Sequence, residues 1–158
     1  LGLEVRHKVQ KYVKEKIEAM RINHPNSYQN IACIKTNAQK HLPNHFERHQ
    51  IERMFFLFPD PHFKKQKHKS RIISQQLLAE YAYLLKIGAE VFLATDVLEL
   101  HEWMCKHFEE HPLFRRIEKL NKEQEIISKI TYTETEEGKR VQKNGGKKYF
   151  AVYERIEA

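Results

Sequence analysis

An α/β fold with a parallel sheet follows from three observations. Helical and extended apolar patterns alternate from residue 5 to residue 111, one short run is continuously apolar, and acids stand where extended runs end. Leu1-Gly2-Leu3-Glu4 reads as a strand ending in an acid. Val5, Val9, Tyr12, Val13, Ile17 and Met20 then keep i, i+3, i+4 spacing, with Lys8, Lys11, Lys14 and Lys16 on the remaining positions, which predicts an amphipathic helix. Residues 30–36 carry Ile31, Cys33 and Ile34 and suit a short buried strand, and residues 41–46 suit a short helix or turn around Pro43. The run 54–58, Met-Phe-Phe-Leu-Phe, is a strand of the kind covered on both faces of a parallel sheet.

Ser74 is placed to cap a helix carrying Leu77, Leu78, Tyr81, Ala82, Leu84 and Leu85, with Gly88 as its stop. Residues 90–94 read as the next strand, with Thr95 and Asp96 at its carboxyl end. Residues 99–111 read as a second amphipathic helix, built on Leu100, Trp103, Met104, His107 and Phe108 and ended by Pro112. Beyond it, residues 114–120 and 149–156 are compatible with antiparallel edge strands. The polar segment 131–148 lies between them, and its Gly145-Gly146 pair marks a turn. No internal repeat or low-complexity linker interrupts the chain, so residues 1–158 are expected to form one domain.

With 158 residues, 41 % hydrophobic and 31 % charged, the chain can bury a core of ordinary size. The excess of 28 Lys and Arg over 21 Asp and Glu gives a net charge of +7, which points to a polyanionic partner, RNA or DNA first. No uninterrupted apolar segment of about 18 residues and no signal-peptide pattern occur, so nothing suggests a membrane or export, and an intracellular protein is expected. Cys33 and Cys105 stand far apart and outside any C-x-x-C pair, and both read as buried thiols. The spacing of His107, Glu110 and His111 matches H-x-x-E-H, but a helix end before a proline uses histidines to complement its terminal dipole, and no zinc site is expected.

The most informative run follows the central strand. Pro59 cannot continue that strand, and Pro61 pushes Asp60 toward an extended conformation, so Asp60 sits on a stiffened elbow at a strand's carboxyl end. Open α/β sheets bind their ligands there. From Asp60 to Arg71 the chain then supplies Lys64, Lys65, Lys67, Lys69 and Arg71 with His62 and His68, against Asp60 alone. A solvated basic loop has the same composition, and adjacency to the lone acid favours phosphate binding beside a site that reads one base. Asp96 is a second candidate acid, equally suited to capping the next helix.

Phe58-Pro59-Asp60-Pro61-His62-Phe63-Lys64, with Lys67-His68-Lys69 and Arg71-Ile72-Ile73, resembles the signature of the eukaryotic tRNA (guanine-N7-)-methyltransferase catalytic subunit. Gly2-Leu3-Glu4-Val5-Arg6, Asn37-Ala38, Thr95-Asp96-Val97, His101-Glu102-Trp103-Met104 and Thr135-Glu136-Glu137-Gly138-Lys139 extend the resemblance over nearly the whole chain. The resemblance implies a class I methyltransferase (Rossmann-like) fold, S-adenosyl-L-methionine as methyl donor and a guanine in the variable region of tRNA as acceptor. It implies that Glu4 and Arg6 flank the cofactor ribose, that Asn37 and Ala38 lie by the adenine, and that Leu57 borders the methionine end. Thr135 and Glu137 fall where a late loop closes over the cofactor, and Asp60 takes the catalytic position. Lys64, Lys65, Lys67, His68, Lys69 and Arg71 are then the RNA-binding set. A WD-repeat non-catalytic subunit is the implied partner in a heterodimer, and the nucleus the expected compartment, with the cytoplasm as the other one open.

The departure from the family pattern is at the front. No glycine-rich turn precedes Glu4, so Leu1–Glu4 reads as the second strand of a sheet whose first strand is absent from these residues. Such a sheet would leave two inner edges open to pairing with other chains. The alternative function is therefore a non-catalytic RNA-binding or partner-binding fragment that has lost its cofactor loop.

Overall fold

In the computed structural model, which describes residues 1–157, Leu3 faces Ile34 across a parallel pair of short strands, β1 (Gly2–Glu4) and β2 (Cys33–Lys35). The pair belongs to the first of two compact units, Leu1–His45; the second runs on from Phe46. Helix α1 (His7–Asn23) crosses between the two strands and presents Ile17 as its buried side chain. Val9, Val13 and Met20 are half-buried beside it, and the lysine-rich face is exposed, with Lys11–Glu15 and Lys14–Glu18 pairs at 3.8 and 3.9 Å, each worth about 0.3–0.5 kcal/mol. Gln10 ties the helix to β2 by donating to the Cys33 carbonyl at 3.1 Å. Cys33 is half-buried rather than fully buried, because the small unit has little behind β2 to cover it. The helical turn expected around Pro43 begins earlier, as α2 (Ala38–His41), and runs into a 3-10 turn at Leu42–Asn44.

The second unit is a four-stranded mixed sheet in the order β3-β4-β6-β5. Strands β3 (Ile51–Leu57) and β4 (Leu85–Thr95) run parallel, β6 (Tyr149–Arg155) is antiparallel to β4, and β5 (Phe114–Arg116) is antiparallel to β6. Helices α3 (Gln75–Leu84) and α4 (Leu98–Glu110) follow β3 and β4. The core is built from Leu78, Tyr81, Leu84, Val91, Leu93, Met104, Phe108 and Tyr153, all 1 % exposed or less, while Phe92, equally buried, stacks on Phe55 from the other face of the sheet.

Three expectations are corrected. Residues 54–58 are not covered on both faces: Phe56 is buried against Tyr81, but Phe55 and Leu57 remain 42 and 40 % exposed, since β3 ends the order of its sheet. The continuous burial of a central strand belongs to β4, where Val91 to Thr95 are all buried. Residues 149–156 form no edge strand, because β6 lies between β4 and β5. Gly88 does not stop α3. The chain passes from Leu84 straight into Leu85, both fully buried, and Gly88 takes φ +82° where the β3–β4 register slips from Ile51↔Leu85 to Arg53↔Glu90; such an irregularity uses the backbone freedom of glycine.

The segment 121–148 holds two helices that the apolar pattern did not reveal. Helix α5 (Lys122–Thr133) starts with a capping box in which Asn121 and Gln124 bond reciprocally. Helix α6 (Glu136–Lys143) starts at Thr135, whose hydroxyl accepts from the Gly138 N–H at 3.1 Å, with Glu136 and Glu137 in the first turn and Arg140 and Lys143 in the last.

Candidate functional site

The carboxyl ends of β3 and β4 lie side by side, and their last rung is the Phe58 N–H on the Ala94 carbonyl at 2.8 Å. Beyond that rung the chain turns sharply. Phe58 has φ +48° and His62 φ +44°, left-handed values that side chains with a Cβ adopt at a cost of roughly 1–2 kcal/mol each. Between them the prolines hold Asp60. Its Oδ1 accepts from the His62 N–H at 2.9 Å, closing a local turn, and its side chain is 73 % exposed. Turn capping and a solvent-facing carboxylate thus coexist on one residue.

The basic stretch forms a 3-10 helix over Lys65–Ser70. Lys65, Lys67 and Lys69 are exposed on it, as are Lys64 and Phe63 just before it, Phe63 at 68 %. Arg71 is not part of that surface. It is 1 % exposed, donates from Nε to the Pro61 carbonyl at 2.9 Å and from Nη2 to Glu99 Oε1 at 2.8 Å, and lies 4.8 Å over the Trp103 ring. Its expected phosphate contact is therefore withdrawn: the guanidinium is spent on the elbow and on α4. His68 is half-buried beside it, with Nε2 3.1 Å from Arg71 Nη2 and its ring edge-on to Trp103 at 5.4 Å. The Arg71 hydrogen bond, helped by the charges of Arg71 and His68, holds the Glu99 carboxyl below its usual value.

Asp96 follows β4. No side chain caps the next helix at its N-cap residue Val97; Thr95 Oγ1 closes a local turn by accepting from the Val97 N–H at 3.2 Å, and Asp96 is exposed. Asp96 and Glu137 line one cavity of about 210 Å³, completed by Arg140, Asn144 and Lys147. Glu137 reaches it because Thr135 caps α6: the Thr135 hydroxyl donates to the Thr131 carbonyl at 3.0 Å while accepting from Gly138. The expected late loop is thus a helix start. Arg140, Asn144 and Lys147 went unnoticed in the sequence, although Thr135 before two acids, with bases a turn later, is a helix-start signal.

In the first unit the other expected residues share one strand end. Glu4 closes β1, opposite Lys35 of β2, and Asn37 and Ala38 follow β2 directly, Asn37 at the N-terminus of α2. Glu4 Oε1 accepts from the Arg6 N–H at 2.8 Å and Nε at 3.1 Å, and Oε2 accepts from Nη2 at 3.2 Å. Burial pushes the Glu4 carboxyl up, but the Arg6 side-chain and backbone hydrogen bonds and charge outweigh it and keep the group below its usual value. Glu4 is therefore an ionised, mostly buried acceptor at a strand end.

The HxxEH residues serve the helix end. His107 Nδ1 lies 2.8 Å from the Trp103 carbonyl, and His111 Nδ1 accepts from the Leu113 N–H at 3.3 Å. No helix among the described residues is long and apolar enough to cross a membrane.

Residues 1–151 match the model of a family described as "Putative methyltransferase". Over 157 residues, 99 % of this chain, the sequence is 58 % identical to a tRNA (guanine-N(7)-)-methyltransferase of Xenopus laevis, 56 % to one of Danio rerio and 55 % to one of Homo sapiens. The chain covers 58, 65 and 57 % of those three proteins.

Proposed function

The chain belongs to this methyltransferase family, and from that premise we propose that it is the catalytic part of an enzyme that methylates guanine N7 in the variable region of tRNA. The observation that carries the reading is the exposed Asp60 carboxylate at the carboxyl end of β3, beside a row of exposed lysines. The relatives in Xenopus, zebrafish and human, whose names state a tRNA guanine-N7 methyltransferase, support it.

Each unit, taken by itself, carries residues whose chemistry suits a part of the methyl donor the family implies. Glu4 is an ionised acceptor at a strand end, suited to the hydroxyls of a ribose, with Arg6 orienting it and Asn37 and Ala38 next to it on the neighbouring strand's end. Glu137 and Asp96 supply carboxylates, the acceptors an ammonium group needs, in a cavity they share with Arg140 and Lys147, and Leu57 is apolar and half-exposed at the end of β3. S-adenosyl-L-methionine supplies an electrophilic methyl carbon on a sulfonium.

Guanine N7 carries a lone pair and no proton, so Asp60 need not act as a base. It accepts hydrogen bonds from N1–H and the exocyclic amine of a splayed-out guanine and holds N7 in line for attack. Positioning of this kind contributes up to roughly 7–11 kcal/mol to lowering a barrier. The carboxylate also favours the cationic methylated base electrostatically. Lys64, Lys65, Lys67 and Lys69 hold phosphates, giving affinity that falls with salt, and half-buried His68 orients the stretch through Arg71 and Trp103. The resemblance further supports a WD-repeat non-catalytic subunit as heterodimer partner and the nucleus as compartment.

Asp60→Asn in the full-length protein tests the assignment: kcat on tRNA falls roughly 10²-fold while the dissociation constants of tRNA and cofactor stay near the parent's. Full turnover in that variant removes Asp60 from the site. Absence of cofactor binding in calorimetry would favour the alternative, an RNA- or partner-binding chain without turnover.

A further inference from the structure

We propose that Lys148 is a positioning residue for the methyl donor: its ammonium group staples the α5–α6 corner so that Glu137 is presented into the cavity shared with Asp96. The inference rests on the reading of Thr135 and Glu137 as cofactor-binding residues. Lys148 is half-buried, and its Nζ donates to the Tyr132 carbonyl at 2.6 Å and to the Gly138 carbonyl at 3.0 Å while lying 3.9 Å from the centre of the Tyr132 ring. The phenol of Tyr132 returns the contact by donating to the Lys148 carbonyl at 3.4 Å.

These partners come from both helices. Tyr132 lies in the last turn of α5, where carbonyls lack intrahelical partners and a cation completes the dipole. Gly138 lies in the first turn of α6, one residue after Glu137. Between them the chain turns within a few residues, and the fit is tight. A Cβ on Gly138 would stand 2.5 Å from the Tyr132 carbonyl oxygen and 2.7 Å from Thr135 Oγ1. One ammonium group thus bridges the end of one helix and the beginning of the next.

The same residue joins this corner to the sheet. Its neighbour Lys147 lines the cavity with Asp96 and Glu137, and its other neighbour Tyr149 pairs with Thr95, directly before Asp96. Lys148 therefore fixes the distance between the strand end that carries Asp96 and the helix start that carries Glu137. A neutral side chain of similar length would leave the Tyr132 carbonyl without its cation and free the corner to move. Displacements of about 1 Å matter at sites that act by alignment.

The test is calorimetric binding of S-adenosylhomocysteine to the full-length protein, with tRNA affinity measured alongside. Lys148→Met is expected to weaken cofactor-product binding about tenfold, with tRNA affinity within roughly twofold of the parent, because the ammonium points inward. Glu137→Gln must also weaken it, and the double variant must bind no worse than the weaker single variant. Multiplying effects in the double variant would mark independent structural damage and overturn the proposal. So would Lys148→Met binding like the parent while Glu137→Gln binds weakly. Unchanged binding in Glu137→Gln would instead sink the reading of Glu137, and the staple's purpose with it. Should Lys148→Met not fold, Lys148→Gln, which keeps a donor amide, carries the same comparison.

Discussion

Arg71 and Pro61 are joined by a 2.9 Å hydrogen bond from the guanidinium Nε to the carbonyl oxygen, so the Pro61–His62 peptide of the Asp60 elbow hangs on a fully buried side chain. Arg71→Met should lower stability by roughly 2–5 kcal/mol, since it removes a buried, hydrogen-bonded group over Trp103 and leaves its partners unmet. It should not change the salt dependence of RNA binding. Chemical denaturation and filter binding check both, and a smaller salt slope in Arg71→Met would return this residue to the phosphate surface.

Glu99 gives the pair a pH signature. Its folded carboxyl lies below the ordinary value of 4.5, chiefly through the Arg71 hydrogen bond. Above 4.5 both folded and unfolded forms are ionised and the pair contributes fully. As the pH falls below that value the unfolded state takes up its proton first, and the contribution is lost by the time the pH passes the lowered folded value. Glu99→Gln should therefore have a flatter acid limb in a plot of Tm against pH than the parent, while losing some stability at neutral pH. Parallel acid limbs would contradict this.

The exposed lysines predict a salt effect. Each neutralised phosphate adds about one unit to the slope of log affinity against log salt. Replacing Lys64, Lys65, Lys67 and Lys69 by Gln should flatten the slope by roughly one unit for every phosphate left without its ammonium partner, with little change in kcat at saturating tRNA. An unchanged slope would mean that the 3-10 helix faces something other than the polynucleotide.

Phe63 lies beside these lysines and three residues from Asp60, and it is 68 % exposed, which no core role requires. An aromatic face next to a phosphate-binding row suits stacking on an unpaired base, worth roughly 1–3 kcal/mol. Phe63→Ala should weaken tRNA binding within that range while changing folding stability by less than about 0.5 kcal/mol. A large fall in Tm would instead reveal a packing role.

Gly138→Ala runs against the usual rule. In a helix interior that exchange gains about 0.5–1 kcal/mol, but the added Cβ would meet the Tyr132 carbonyl oxygen at 2.5 Å. We expect lower stability, read as a fall in Tm, and a gain would show that the α5–α6 corner yields easily.

The sequence made the parallel α/β core and the elbow legible because those signals are local. Proline stops a strand wherever it falls, Ser74 caps α3 as expected by accepting from the Leu77 N–H at 3.3 Å, and an acid at a strand end needs no partner to be noticed. What stayed hidden depends on partners distant in sequence. Arg71 looks like one more base in a basic run until Glu99 and Trp103 are brought to it. The 149–156 segment looks like an edge until β5 pairs along its free side. Helix α6 was masked by Gly138, which from the sequence looks like part of a polar segment, whereas the glycine is required by the close approach of α5. Gly88 misleads for the converse reason, since a glycine near a helix end usually stops it.

The two left-handed residues flanking Asp60, Phe58 and His62, set this protein's robustness against its competence. A laboratory lineage selected only for heat tolerance should drift toward glycine or asparagine at 58 and 62, where the relaxed backbone is gained cheaply. Its descendants would survive the oven with a carboxylate that wanders, and they would lose catalysis before they lost shape.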